Sequence, residues 1–115
     1  MAQSDNVVDA KRPLDDGFLV QLSGEIDLVR SPALRVELLE LLKSDPARLV
    51  LDLSNVPLMD SSGVATLIEV LQIQRNHGRN LVLCGLQEKV RSVFEITRLH
   101  EVFQIVSDAA TAQEA

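Results

Sequence analysis

The chain has 115 residues, room for one domain and too few for two. A formal net charge of −6, with neither Trp nor Tyr, argues against a nucleic-acid partner, which needs clustered cations and stacking rings. No apolar run is long enough to span a bilayer, Asp5 and Asp9 break any signal-peptide pattern, and the single Cys84 cannot form an internal disulfide, so a cytoplasmic protein without membrane insertion is expected.

Residues 1–12 are expected to be a flexible N-terminal segment or an edge strand, and residues 13–115 a single domain. In the first segment Val7-Val8 is the strand candidate, closed by the turn chemistry of Pro13, Asp15, Asp16 and Gly17. Phe18-Leu19-Val20-Gln21-Leu22 reads as a strand ended by Ser23-Gly24. Ser31-Pro32 offers an N-cap followed by proline at the first helical position. Leu34, Leu38, Leu41 and Leu42 then give a helix with one buried stripe, stopped by Pro46. Leu49-Val50-Leu51-Asp52-Leu53 is a buried-strand run, followed by a loop through Asn55 and Pro57. A second helix opens at Ser61-Ser62-Gly63, with Val64, Leu67, Ile68 and Leu71 as its core stripe and Gly78 at its stop. Leu81 to Cys84 form the next strand, Val90, Val93, Phe94 and Thr97 mark a third helix, and Phe103 to Val106 a last strand. The alanine-rich tail after Ser107 suits a short final helix. Three consecutive strand–helix–strand units require parallel pairing, and the first segment joins the edge as a hairpin. The expected fold class is α/β: a small mixed, largely parallel β-sheet packed with α-helices.

Motifs for catalysis are missing. A nucleophile elbow needs glycine two residues before its serine, and Met59 stands there ahead of Ser61. Glycine-rich nucleotide loops are absent. His77 and His100 lie far apart and out of metal-ligand spacing with Cys84, so both histidines read as helix-end residues and Cys84 as a small core residue. An aspartyl-phosphate receiver would need acids after its first strand and a lysine after its last; here Ser23-Gly24 ends the first, and no lysine follows Phe103. A hydrolase built on Ser61 lacks a histidine placed to act as base. No catalytic residue, metal or cofactor is expected.

Two segments stand out from this grammar. Gly24-Glu25-Ile26-Asp27 follows the first long strand, and Met59-Asp60-Ser61-Ser62-Gly63 joins a strand to a helix. Together with the Leu49 to Leu53 run and the terminal strand and alanine-containing helix, they make the chain resemble the STAS domain family from about Phe18 onward. The closest fit within it is the single-domain anti-sigma factor antagonists. The resemblance implies one STAS domain over 13–115 and a partner switch. In such proteins the unmodified antagonist binds an anti-sigma factor that is also an ATP-dependent serine kinase, which frees the sigma factor. The kinase phosphorylates the serine after the aspartate, here Ser61 with Ser62 as second choice, and the modified antagonist lets go. A PP2C-type Ser/Thr phosphatase resets it.

Elementary physics agrees with that role. A serine at a helix N-terminus is exposed and faces unpaired N–H groups at the positive end of the dipole, so Ser61 is expected to be cap and phosphosite together. Asp27 is expected on the same rim, because consecutive parallel strands place their C-terminal loops together. Asp27 and Asp60 each read either as partner contacts or as loop acids, and Asp52 as a hydrogen-bond anchor for its loop. With Val64, Leu67, Ile68 and Leu71 facing the core, Ser62, Thr66, Val70 and Ile73 are expected on the opposite side. The expected partner surface is thus Glu25, Asp27, Asp60, Ser61, Ser62, Gly63, Thr66, Val70 and Ile73. Two positions depart from the family pattern: Ala65 stands where many members have a second glycine, and Thr97-Arg98-Leu99 replaces T-G-L. The alternative function is a STAS adaptor that docks without phosphorylation, in a lipid-transport ABC complex or a stress-signalling assembly.

Overall fold

The computed structural model describes residues 7–114. Five strands form one sheet in sequence order: β1 (Val8–Leu14), β2 (Gly17–Ser23), β3 (Arg48–Asn55), β4 (Asn80–Cys84) and β5 (Gln104–Val106). β1 pairs antiparallel with β2, and every later pair is parallel. The crossovers are helical: α1 (Ser31–Leu42), α2 (Ser61–Asn76) and α3 (Glu88–Ile96), the last followed by a 3-10 turn at Leu99–Glu101. A short α4 (Ala109–Glu114) closes the chain. The mixed, mostly parallel α/β sheet expected from the sequence is the one formed.

Alternation along the strands divides the core in two. Val20, Leu22, Leu49, Leu51, Leu53, Leu81 and Leu83 point to the face covered by α1, α2 and α3, where they meet Leu34, Leu38, Leu67, Val90 and Phe94. Leu19, Val50, Val82 and Cys84 point to the other face, beneath Ala112 of α4. Cover on both faces is why β3 and β4 carry consecutive apolar residues, Leu49 to Leu51 and Leu81 to Cys84, rather than an alternation. Phe94 packs edge-on against Phe103, with ring centroids 5.4 Å apart.

β1 is longer than the Val7-Val8 strand expected. It runs through Pro13, opposite Phe18, and the turn is made by Asp15-Asp16 alone. A proline is tolerated there because the outer side of an edge strand has no partner needing its missing N–H. Asp9, Lys11 and Arg12 stay exposed, so the strand carries no hydrophobic alternation by which to recognise it.

The rotation of α2 also differs from expectation. Val70 is 1% exposed and Thr66 is buried, so neither lies opposite the core. The reason is local geometry: Val70 is three residues from Leu67, and residues at i and i+3 share a helix face. The buried arc runs through Gly63, Thr66, Val70 and Gln74 as well as Val64, Leu67 and Leu71. Ile73 is half-buried against the same cluster. Gln74 can be buried because its amide donates to the carbonyls of Pro46 (3.1 Å) and Asn80 (2.7 Å), stapling the end of α2 to the loop entering β3 and to the first residue of β4. At the opposite face of α2, Arg35 of α1 makes a bidentate pair with Glu69, at 2.7 and 2.8 Å. What remains exposed on α2 includes Ser61, Ala65 and Gln72, one stripe leading away from its N-terminus.

Candidate functional site: the rim at the start of α2

The loops after β2 and β3 leave the sheet at the same edge, and the pairing of those strands continues into them. Ile26 and Met59 form an isolated parallel bridge. The Ile26 N–H donates to the Leu58 carbonyl and the Asp60 N–H to the Ile26 carbonyl, both at 3.0 Å. These contacts lay Glu25-Ile26-Asp27 alongside Met59-Asp60-Ser61, as the shared rim of parallel strands required.

The helix is capped by Asp60 rather than by Ser61. Asp60 has extended backbone (φ −96°, ψ −173°), and its Oδ1 accepts from the N–H groups of Ser62 (2.9 Å) and Gly63 (3.4 Å). The same oxygen accepts from the Ser62 hydroxyl at 2.6 Å. An aspartate one residue earlier reaches the N2 and N3 amides, which leaves Ser61 at N1 with no capping duty. Hydrogen bonds from Ser62, foremost its hydroxyl, hold the Asp60 carboxyl below its ordinary pKa, with further help from the Gly63 and Leu28 N–H groups. Ser61 is exposed, and its hydroxyl makes no hydrogen bond among the described residues. The two neighbouring serines therefore differ: one hydroxyl is tied, the other is free.

Asp27 has a similar local duty. Its Oδ1 accepts from the N–H groups of Val29 (3.1 Å) and Arg30 (3.0 Å), and its carbonyl from Ser31 N–H (2.8 Å). Asp27 thus does the work expected of Ser31, which is buried at the first position of α1 while Arg30 holds the cap position without a side-chain capping bond. The Arg30 guanidinium folds back over Gly24 to the carbonyls of Glu25 and Ser23, and a Cβ on Gly24 would collide with it. Gly24 also has φ +82°, a conformation glycine takes without strain. Asp52 anchors its loop as expected, accepting from Ser54 N–H at 2.9 Å.

Of the expected partner residues, Glu25, Asp27, Asp60, Ser61 and Ser62 come together on this rim, with Glu25, Asp60 and Ser61 exposed. Gly63 is buried, and a Cβ there would lie 2.7 Å from side-chain atoms of Ile26 and Met59. It serves the close approach of α2 to the bridge rather than the surface. Thr66 and Val70 face inward, the Thr66 hydroxyl donating to the Ser62 carbonyl at 3.0 Å. Sequence reasoning missed three surface residues flanking the site: Leu28, Val29 and Leu58, with exposures of 74%, 79% and 45%. The signal was available, since Leu28-Val29 sits between a strand and a helix with no periodicity to bury it.

The STAS domain profile matches residues 8–112, nearly the whole described chain. The chain belongs to the STAS domain family. Among its STAS relatives, the anti-sigma-B factor antagonist of Bacillus subtilis is 33% identical over 98 residues, covering 85% of this chain and 88% of that protein. The anti-sigma-B factor antagonist of Staphylococcus epidermidis is 28% identical over 91 residues, covering 79% and 84%. The crystal structure of an anti-sigma factor antagonist from Mycobacterium paratuberculosis superimposes with a TM-score of 0.86 at 24% identity, covering 99% of this chain and 97% of that one, and so shares the STAS fold.

Elsewhere in this STAS domain the titratable residues have local explanations. Cys84 is buried, and burial, followed by the charges of Asp52 and Asp108, pushes its thiol up to about 12. His77 caps the end of α2, 3.4 Å from Asp45, and His100 Nδ1 lies 3.2 Å from the Phe94 carbonyl at the end of α3. Among the described residues no group of three or more His, Cys, Asp or Glu could hold a metal ion, and no helix is long and apolar enough to cross a membrane.

Proposed function

We propose that this chain is an anti-sigma factor antagonist switched by phosphorylation at Ser61. The observation that carries the reading is the unequal pair at the start of α2, a free exposed Ser61 hydroxyl beside a Ser62 hydroxyl tied to Asp60. The Bacillus subtilis antagonist, 33% identical across most of both chains, supports the regulatory class. In the unmodified state the rim of Glu25, Asp27, Leu28, Val29, Leu58 and Ser61 docks an anti-sigma factor that is also a serine kinase, and the sigma factor is released. The kinase brings ATP and transfers its γ-phosphoryl group to Ser61 Oγ, releasing ADP and the hydroxyl proton. The new charge ends docking, and a PP2C-type phosphatase hydrolyses the ester to restore Ser61. This chain then needs no cofactor of its own.

An unbiased pull-down from the native host, read with intact mass and peptide mapping, tests the reading. Capture of a serine-kinase anti-sigma factor and one phosphate on Ser61 is the expected result. Phosphate mainly on Ser62, Thr66 or Ser54 overturns the residue assignment. Stable docking of a protein that never modifies the chain favours the adaptor role instead.

A further inference from the structure

The two faces of the sheet are covered very unequally. α1, α2 and α3 bring Leu34, Leu38, Leu67, Val90 and Phe94 to one face, whereas α4 brings only Ala109 and Ala112 to Leu19, Val50, Val82 and Cys84 on the other. Methyl side chains bury little apolar area, and a helix of 6 residues does not hold in water on its own. The polar fastenings of α4 sit at its two ends. At the start, Asp108 Oδ1 accepts from the Thr111 N–H at 2.8 Å. At the far end Arg48, the first residue of β3, donates from Nη1 to the carbonyls of Ala112 (3.3 Å) and Gln113 (2.6 Å), which sets a cation on the helix C-terminus. Arg48 Nε lies 3.3 Å from the carboxylate of Asp16 in the β1–β2 turn. A cleft of about 450 Å³, lined by Leu14, Asp16, Arg48 and Gln113 among others, opens between that turn and the end of α4. The guanidinium, rather than apolar packing, joins them.

We propose that α4 is a strap that opens as a unit while the rest of the domain stays folded, and that Arg48 is its buckle. Opening lifts Ala109 and Ala112 off the sheet and uncovers Leu19, Val50, Val82 and Cys84. The strands keep their ladders, because β2, β3 and β4 pair through backbone groups that α4 does not supply. The rim at the start of α2 is untouched, since neither the Ile26–Met59 bridge nor the Asp60 cap uses a residue of α4. The domain then has two surfaces under separate control: a polar rim always open to partners, and an apolar back that the strap uncovers. Strap opening is independent of what Ser61 carries.

The single cysteine reports on the strap, because Cys84 is fully buried beneath it. Labelling of the full chain by iodoacetamide is followed by intact mass at low urea concentrations, beside amide exchange at Leu51 in the centre of β3. Cys84 is expected to react at least about a hundredfold faster than the exchange of Leu51 allows, with a rate nearly independent of urea. The Ala112 amide, bonded to the Asp108 carbonyl at 3.0 Å, should open in step with it. Arg48→Met keeps the length of the stem without the guanidinium, and should speed labelling at least about tenfold through loss of its charged hydrogen bonds. Labelling that rises with urea as steeply as Leu51 exchange means that Cys84 is reached only by global unfolding, and overturns the strap. A rate unchanged in Arg48→Met removes the buckle. Should that variant fail to fold, Asp108→Ala cuts the other fastening: labelling at low urea should rise about threefold or more, and no rise overturns the proposal. Ser61→Asp should label like the unmodified chain, and a changed rate would sink the independence of strap and rim.

Discussion

Two apolar residues of the same character have opposite standing in this molecule. Val70 is 1% exposed within the main core, whereas Val29 is 79% exposed on the loop between β2 and α1. Val70→Ser removes buried methyl groups and adds a hydroxyl, and should cost about 2–4 kcal/mol, lowering the melting temperature by roughly 10 °C or more. Leu28→Ser with Val29→Ser should leave the melting temperature nearly unchanged, since exposed substitutions move stability by about ±0.5 kcal/mol. The same pair should weaken docking to the anti-sigma factor at least about tenfold, a cost of about 1.4 kcal/mol. Calorimetry on both variants and titration against the captured partner check this, and a large melting shift in the loop pair would mean its side chains are buried. Arg98 presents a backbone question. It holds φ +62° at the position where the family pattern has glycine, and a side chain there costs roughly 1–2 kcal/mol. Arg98→Gly relieves that strain, offset by the freedom glycine adds to the unfolded chain and by an exposed pair with Glu101 at 3.1 Å. A net gain of about 0.5 kcal/mol in denaturant melts is expected.

At the scale of elements, the start of α2 is an electrostatic joint. Hydrogen bonds from Ser62, then from Gly63 and Leu28, lower the Asp60 pKa, and Asp45 is lowered chiefly by its bond to Arg79 at 2.7 Å. A depressed carboxylate binds fewer protons in the folded than in the unfolded chain. Its contribution to stability is therefore present above the unfolded pKa, 3.8 for both, and is lost as pH falls through the folded value. Stability should be flat above about pH 5 and decline below about pH 4, and Asp60→Ala should remove part of that acid slope along with the cap. Thermal melts across that range decide it; an unchanged slope in the variant would show that Asp60 titrates alike folded and unfolded. The elements themselves were legible because each buried strand and helix carries its own period. The strand Leu49 to Leu53, the stripe of Leu34, Leu38 and Leu42, and Gly78 at φ +67° needed no tertiary information. The caps and the rotation of α2 were not legible. Asp60, Ser61 and Ser62 are all good capping residues, and only the path of the chain from Met59 selects among them. A helix that packs on a sheet and also on α1 buries a wider arc than a single stripe, so Thr66, Val70 and Gln74 went inside. The rim acids were found as a group, but their work of turning loops and tying amides depends on partners brought in by the β2–β3 bridge.

For the molecule as a whole, the proposed switch places one group on the rim of a domain whose core is fixed independently of it. The sheet has cover on both faces, and Arg35–Glu69 and Gln74 fix α2 along its length, so nothing in the core needs to move when Ser61 changes. The free chain already carries −6, and a phosphoserine adds roughly −1.5 to −2 beside Asp60. In solution that charge stays hydrated, with perhaps ~0.3–1 kcal/mol of favourable interaction with the helix dipole. In a docked interface it has to be desolvated without a partner, at a cost of several kcal/mol. With 1.4 kcal/mol per tenfold, affinity for the anti-sigma factor should fall by at least about two orders of magnitude. Ser61→Asp should reproduce part of the loss, and Ser61→Ala should remain docked and keep the sigma factor free. Calorimetric titration of the three forms gives the affinities, and amide spectra locate the change. Shifts on phosphorylation should be confined to residues 25–29 and 58–66. Shifts spreading through β3, β4 and α3 would replace the local switch by a change of the whole fold, and Ser61→Asp binding as tightly as the unmodified protein would remove the electrostatic account.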